Sequence, residues 1–115
     1  NGKESGIKNN KDEVADFTLK CIQNNLPTET PGVAFLSGGQ SEFEATENLN
    51  QINKQNKSSF AFTYSFGRAL QQSALKTWAK DLKNIEAVQK VFDERSEMNS
   101  LAAKGEWSAD LENVA

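Results

Sequence analysis

The chain has 115 residues, enough for one small domain and too few for two. With 25% charged and 37% hydrophobic residues and a net charge of −3, it reads as a soluble protein with no basic field to attract a nucleic acid. No apolar run approaches the length that spans a bilayer, and the first residues show no hydrophobic leader.

Cys21 is the single cysteine, so no disulfide forms within the chain, and a reducing compartment fits. Histidine is absent, which removes Ser-His-Asp and Cys-His mechanisms and most zinc sites. The chain starts without Met, and its first residues read like the middle of a loop. A fragment or a processed chain is expected.

Residues 1–9 are polar and read as a loop. Asn10 is the expected N-cap of a helix over Lys11–Asn25, with Asp12 and Glu13 complementing its dipole. Val14, Phe17, Cys21 and Ile22 recur at helical spacing, so Cys21 is expected as an inert core thiol. Pro27 and Pro31 bracket the loop that follows. Residues 33–36 form an unbroken apolar run, the pattern of a strand buried on both faces. The turn 37–40 leads to a capping box, Ser41 with Glu44, and to a helix with Ala45, Leu49 and Ile52 in its stripe. Phe43 lies off that stripe, as an exposed aromatic or part of a subunit contact.

Residues 51–59 read as a polar connection and 60–65 as a second strand, with Phe60, Phe62 and Tyr64 on one side. Gly67 and Arg68 start a helix whose Leu70, Ala74 and Trp78 share a face. After a break near Asp81, Asn84 opens a long helix with Ile85, Val88, Phe92 and Leu101 near its stripe. Residues 104–107 end it, and 108–115 form a polar tail. Strands alternating with helices imply βαβ crossovers and a parallel sheet.

Two segments share one design: Val33 to Gly39, and Phe60 to Arg68. Each is an apolar run that ends in a hydroxyl and glycine and opens into a helix. Helix N-termini present unpaired N–H groups and partial positive charge, so two such ends suit one phosphate. Ser37, Gly38, Gly39, Ser65 and Gly67 would donate, and Arg68 would add a charge-assisted bond. The same residues also fit tight turns beside a surface cation, and spacing alone leaves both readings open.

Gly38-Gly39-Gln40 matches the tripeptide of peptidyl-tRNA hydrolysis in release factors, but acidic Glu42 and Glu44 flank it, where a tRNA-facing loop should be basic. Glu42, Glu44 and Glu47 read as a solvated helix face with a dipole complement. Glu94 with Arg95, and Asp81 with Lys80 and Lys83, read as surface charge. A Schiff-base lysine needs a desolvated setting, and Lys3, Lys54, Lys76 and Lys104 have none.

Longer motifs carry a resemblance. Pro31-Gly32-Val33-Ala34-Phe35-Leu36-Ser37-Gly38-Gly39-Gln40-Ser41-Glu42, with Ala45 and Asn48-Leu49-Asn50, closely resembles class I fructose-bisphosphate aldolase. So does Phe62-Thr63-Tyr64-Ser65-Phe66-Gly67-Arg68-Ala69-Leu70-Gln71, with Ser73-Ala74-Leu75-Lys76 and Trp78. Glu97-Met98-Asn99-Ser100-Leu101-Ala102, followed by Gly105, looks like the family's last long helix.

The resemblance implies an α/β fold, the (β/α)8 TIM barrel. The whole chain, 1–115, would be the C-terminal portion of that single barrel, with strands 7 and 8 and their helices. It implies cleavage of fructose 1,6-bisphosphate to dihydroxyacetone phosphate and glyceraldehyde 3-phosphate through a lysine Schiff base, with no metal and no cofactor. It also implies a cytoplasmic enzyme, a homotetramer, and contacts with actin filaments. Ser37, Gly38 and Gly39 match the family's substrate-phosphate loop after strand 7, and Ser65, Gly67 and Arg68 the loop after strand 8. Phe66 stands where the family commonly has Tyr, which loses a hydroxyl and leaves the donors in place. The family's Schiff-base lysine falls on strand 6, upstream of Asn1, so this segment is expected to be inactive alone. Many members finish with a tyrosine that reaches the active site, whereas this chain finishes in Val114-Ala115. The rivals are a barrel retained as a non-catalytic scaffold and an enzyme acting on another sugar phosphate.

Overall fold

Asn10 caps the first helix: its Oδ1 accepts the Glu13 N–H at 2.8 Å, and α1 runs over Lys11–Asn25. A computed structural model describes residues 6, 10–57 and 60–113. The loop expected over 1–9 falls, apart from Gly6, outside the described residues, as do the last two residues of the tail. After α1 come β1 (Gly32–Phe35), α2 (Glu42–Gln55), β2 (Ala61–Tyr64), α3 (Arg68–Lys80) and α4 (Ile85–Ala103). A short 3-10 helix follows over Ala109–Asn113.

β1 and β2 pair in parallel, with Gly32 opposite Ala61 and Phe35 opposite Tyr64. α2 is the crossover between them, as the alternation predicts. Two buried clusters hold the layers together. One joins Ala45 and Leu49 of α2 to Phe66, Ala69, Ala102 and Trp107. The other joins Ala15 and Leu19 of α1 to Ile52, Phe60 and Phe62.

The sheet departs from the expected burial. Phe62 is buried and Val33, Phe35 and Tyr64 are half-buried on the helix side, but Ala34, Ala61 and Thr63 are exposed. Leu36, expected to be buried, is 75% exposed. Helices cover one face of this two-stranded sheet and nothing among the described residues covers the other. In a barrel that second face looks inward onto the remaining strands.

α1 is rotated relative to the expected stripe. It buries Ala15 and Leu19, so Phe17 is 61% exposed and Cys21 is exposed rather than a core thiol. Ala15 and Leu19 are themselves four apart, and α2 packs on that stripe instead of the one through Phe17 and Cys21. α2 outlasts its expected end and runs to Gln55. Asn53 holds the extra turn, donating to the carbonyls of Phe62 at 3.3 Å and Ala102 at 3.0 Å.

α4 buries Arg95, Asn99 and Ala102, while Ile85 and Phe92 are exposed. Arg95 is therefore no surface charge. It pairs with Glu112 at 2.6 Å and donates to Thr46 Oγ1 at 2.7 Å. Thr46 in turn donates to Asn99 Oδ1 at 2.8 Å. The polar tail is likewise tied down through Glu112, which also accepts the Trp107 Nε1–H at 3.0 Å. Trp107 is buried, Asn50 bonds both its N–H and its C=O, and Phe43 packs edge-on against its ring at 5.3 Å. Phe43 is exposed, as expected, and one edge of its ring also rests on Trp107.

Candidate functional site

Both strands end at the same edge of the sheet, and both loops leave from there. Phe35 lies opposite Tyr64, and the Ser65 N–H donates to the Phe35 carbonyl at 2.7 Å, one step past the strands. Neighbouring strands lie about 4.7–4.9 Å apart, so the two loops start one strand spacing from each other. The C-terminal edge of parallel strands is where βα loops build ligand sites.

The first loop is a glycine turn. Gly38 and Gly39 have φ of +55° and +84°, in the left-handed region that glycine enters without steric cost. The Gln40 N–H donates to the Ser37 carbonyl at 3.0 Å and closes the turn. Ser37 is buried, while Gly38 and Gly39 are exposed, with open space where a side chain would project. The capping box then starts α2 as expected: Ser41 Oγ accepts the Glu44 N–H at 3.1 Å, and the Glu44 carboxylate accepts the Ser41 N–H at 3.0 Å. Asn48 fastens the loop from below, donating to Gln40 Oε1 at 2.7 Å.

The second loop is shorter. Phe66 turns inward against Tyr64, with ring centroids 5.3 Å apart, and anchors it. Gly67 is the N-cap of α3, and no side chain caps this helix, unlike α1, α2 and α4. The first N–H groups of α3 therefore need a partner from outside the helix. Arg68 opens α3, is exposed, and takes part in no ion pair among the described residues. Ser65 and Gly67 are exposed beside it.

The fold thus gathers all six expected residues on one edge, with Ser37 set into the protein and the other five open to solvent. The set consists of N–H groups, hydroxyls and one guanidinium. Such a set offers donors of the kind that suit an anion, and it contains no general base or activated nucleophile. A cleft of about 120 Å³ on the α1–α2 side of the first loop is lined mainly by apolar groups such as Val14, Leu36, Leu49 and Phe66. None of the six residues lines it.

Two polar residues near the site escape a reading by pattern. Glu42 is not a simple solvated carboxylate: it accepts the Ser73 N–H at 2.7 Å and also the Ser73 hydroxyl. Glu47 pairs with Lys11 at 3.3 Å across α1 and α2. No spacing rule within one helix exposes such contacts between helices.

The family model described as fructose-bisphosphate aldolase class-I matches residues 1–115. The chain is 41% identical over 110 residues to fructose-bisphosphate aldolase of Dictyostelium discoideum, which covers 96% of this chain and 31% of that protein. It is 44% identical over 112 residues to the cytosolic fructose-bisphosphate aldolase 4 of Arabidopsis thaliana, covering 96% and 28%. A solved fructose-bisphosphate aldolase of Plasmodium falciparum, in complex with TRAP and a small-molecule inhibitor, superimposes with a TM-score of 0.87 at 42% identity. That match covers 94% of this chain and 31% of the Plasmodium chain. The chain thus spans less than a third of the length of these relatives. Its paired strands, the open second face of the sheet and the matched sequence lead to one conclusion: the chain belongs to the class I fructose-bisphosphate aldolase family and folds as a part of its TIM barrel.

Proposed function

We propose that this chain is the phosphate-holding part of a glycolytic lyase that cleaves fructose 1,6-bisphosphate to dihydroxyacetone phosphate and glyceraldehyde 3-phosphate. Ser37, Gly38 and Gly39 grip a terminal phosphate from one side, and Ser65, Gly67 and Arg68 from the other. The supporting observation is the shared edge: two in-register strands deliver a glycine turn and an uncapped helix N-terminus one strand spacing apart. Held there, the phosphate fixes the sugar so that its carbonyl meets the nucleophile, the positioning part of catalysis.

The nucleophile in this reading is a lysine that forms a Schiff base, on strand 6 of the barrel. Every lysine among the described residues is exposed, so none has the desolvated setting that a Schiff-base lysine needs. The chemistry needs no metal and no cofactor. Assembly as a homotetramer, a cytoplasmic location and contact with actin filaments belong to the same proposal. A cytosolic relative in Arabidopsis thaliana and the TRAP complex of the Plasmodium enzyme support a cytoplasmic member with macromolecular partners.

Borohydride with dihydroxyacetone phosphate will trap a covalent adduct on the full-length protein. Failure to trap one favours a non-catalytic scaffold. Arg68→Ala in the same protein will lower kcat/KM by the worth of a hydrogen bond to a charged group, about 1.5–3 kcal/mol, chiefly through KM. Steady-state kinetics check this, and an unchanged kcat/KM removes Arg68 from the site.

A further inference from the structure

One side chain joins the two helices that carry the phosphate loops. Glu42 is the first residue of α2. Its Oε1 accepts the Ser73 N–H at 2.7 Å, and its Oε2 accepts the Ser73 hydroxyl. Ser73 lies in the second turn of α3, on the helix that Arg68 opens. The Glu42 main chain is held from the other direction, since its carbonyl accepts Arg95 Nη2 of α4 at 3.2 Å. The N-terminus of α2 is thus fixed to α3 by its side chain and to α4 by its backbone.

The strand ladder sets the spacing of β1 and β2, but it leaves the tilt of each helix on the sheet open. A contact at the N-terminal turns acts where an error in tilt would most displace the loops. The charge is also arranged to suit an anion nearby. A carboxylate in the first turn complements the helix dipole, yet it would repel a phosphate if turned toward it. Both Glu42 oxygens are instead engaged by α3.

We propose that Glu42 is a positioning residue, which by clasping Ser73 sets the Ser37–Gly39 turn against the Gly67–Arg68 turn so that both reach one phosphate. The proposal rests on the phosphate grip inferred above. The carboxylate touches no substrate. It acts through the two loops.

The test uses the full-length enzyme and inorganic phosphate as a competitive probe. Glu42→Ala is expected to raise the phosphate inhibition constant and the KM for fructose 1,6-bisphosphate about fivefold, with kcat changed less than about twofold. Ser73→Ala should move both constants the same way by less, and the double variant should match Glu42→Ala alone. Glu42→Gln keeps one acceptor and should recover part of the loss. If Glu42→Ala does not fold, Ser73→Ala and Glu42→Gln carry the measurement. An unchanged phosphate constant in the folded variants, or additive effects of the two single changes, would overturn the clasp. Arg68→Ala serves as the reference. If it too leaves phosphate inhibition unchanged, the grip itself is wrong. If it weakens inhibition while the Glu42 and Ser73 variants do not, only the clasp is wrong.

Discussion

Arg95 is the residue at which local pattern and tertiary setting differ most. It is 8% exposed on α4, and burial of an unpaired guanidinium would be costly. Its Nη1 donates to the Glu112 carboxylate and its Nη2 to Thr46 Oγ1 and the Glu42 carbonyl, while Nε is buried without a partner among the described residues. Glu112 is the only carboxylate in that set, and it holds Trp107 as well. Glu112→Ala in the full-length protein is therefore expected to cost about 1–3 kcal/mol, since it strands a buried donor. Urea denaturation measures this, and a midpoint equal to that of the parent would show that water replaces the carboxylate without loss. Arg95 beside Glu94 looks like surface charge because the partners that neutralise it are on other elements. The turn from Ser37 to Gln40 was legible for the opposite reason. A hydroxyl and glycine at the end of an apolar run specify a turn by local sterics alone.

At the scale of elements, starts were more legible than faces. Asn10 and Ser41 cap their helices through bonds to residues three positions on, so the signal lies within one turn of sequence. Ser41→Ala should remove the reciprocal cap of α2 and lower stability by about 0.5–2 kcal/mol, read from thermal melting. The same variant loosens the turn above it, so a lower melting temperature should come with weaker phosphate inhibition. The buried face of α1 was not legible, because two apolar stripes run along it. One passes through Phe17 and Cys21, the other through Ala15 and Leu19, and the helix that packs there decides between them. The end of α2 was also missed. Its last turn is polar, and Asn53 keeps it helical through carbonyls of β2 and α4 that a local pattern does not contain.

At the scale of the whole molecule, two parallel strands make a sheet with one covered face. Leu36, Leu82, Phe17 and Ile85 are each at least 60% exposed, a load of apolar surface that a stable monomer rarely presents. These 115 residues alone should show no aldolase activity and no cooperative thermal transition by circular dichroism. A sharp melt of the monomeric segment would mean that the barrel's other strands are dispensable to it. The family, the order of elements and the glycine turns were determined by the sequence itself, through long motifs and local backbone sterics. The tertiary structure alone decided which faces are buried, that the tail folds back onto Trp107, and that Arg95 and Glu42 serve as ties between helices. Caps and turns are satisfied within a few residues, whereas a buried charge is stable only when groups distant in the chain converge on it.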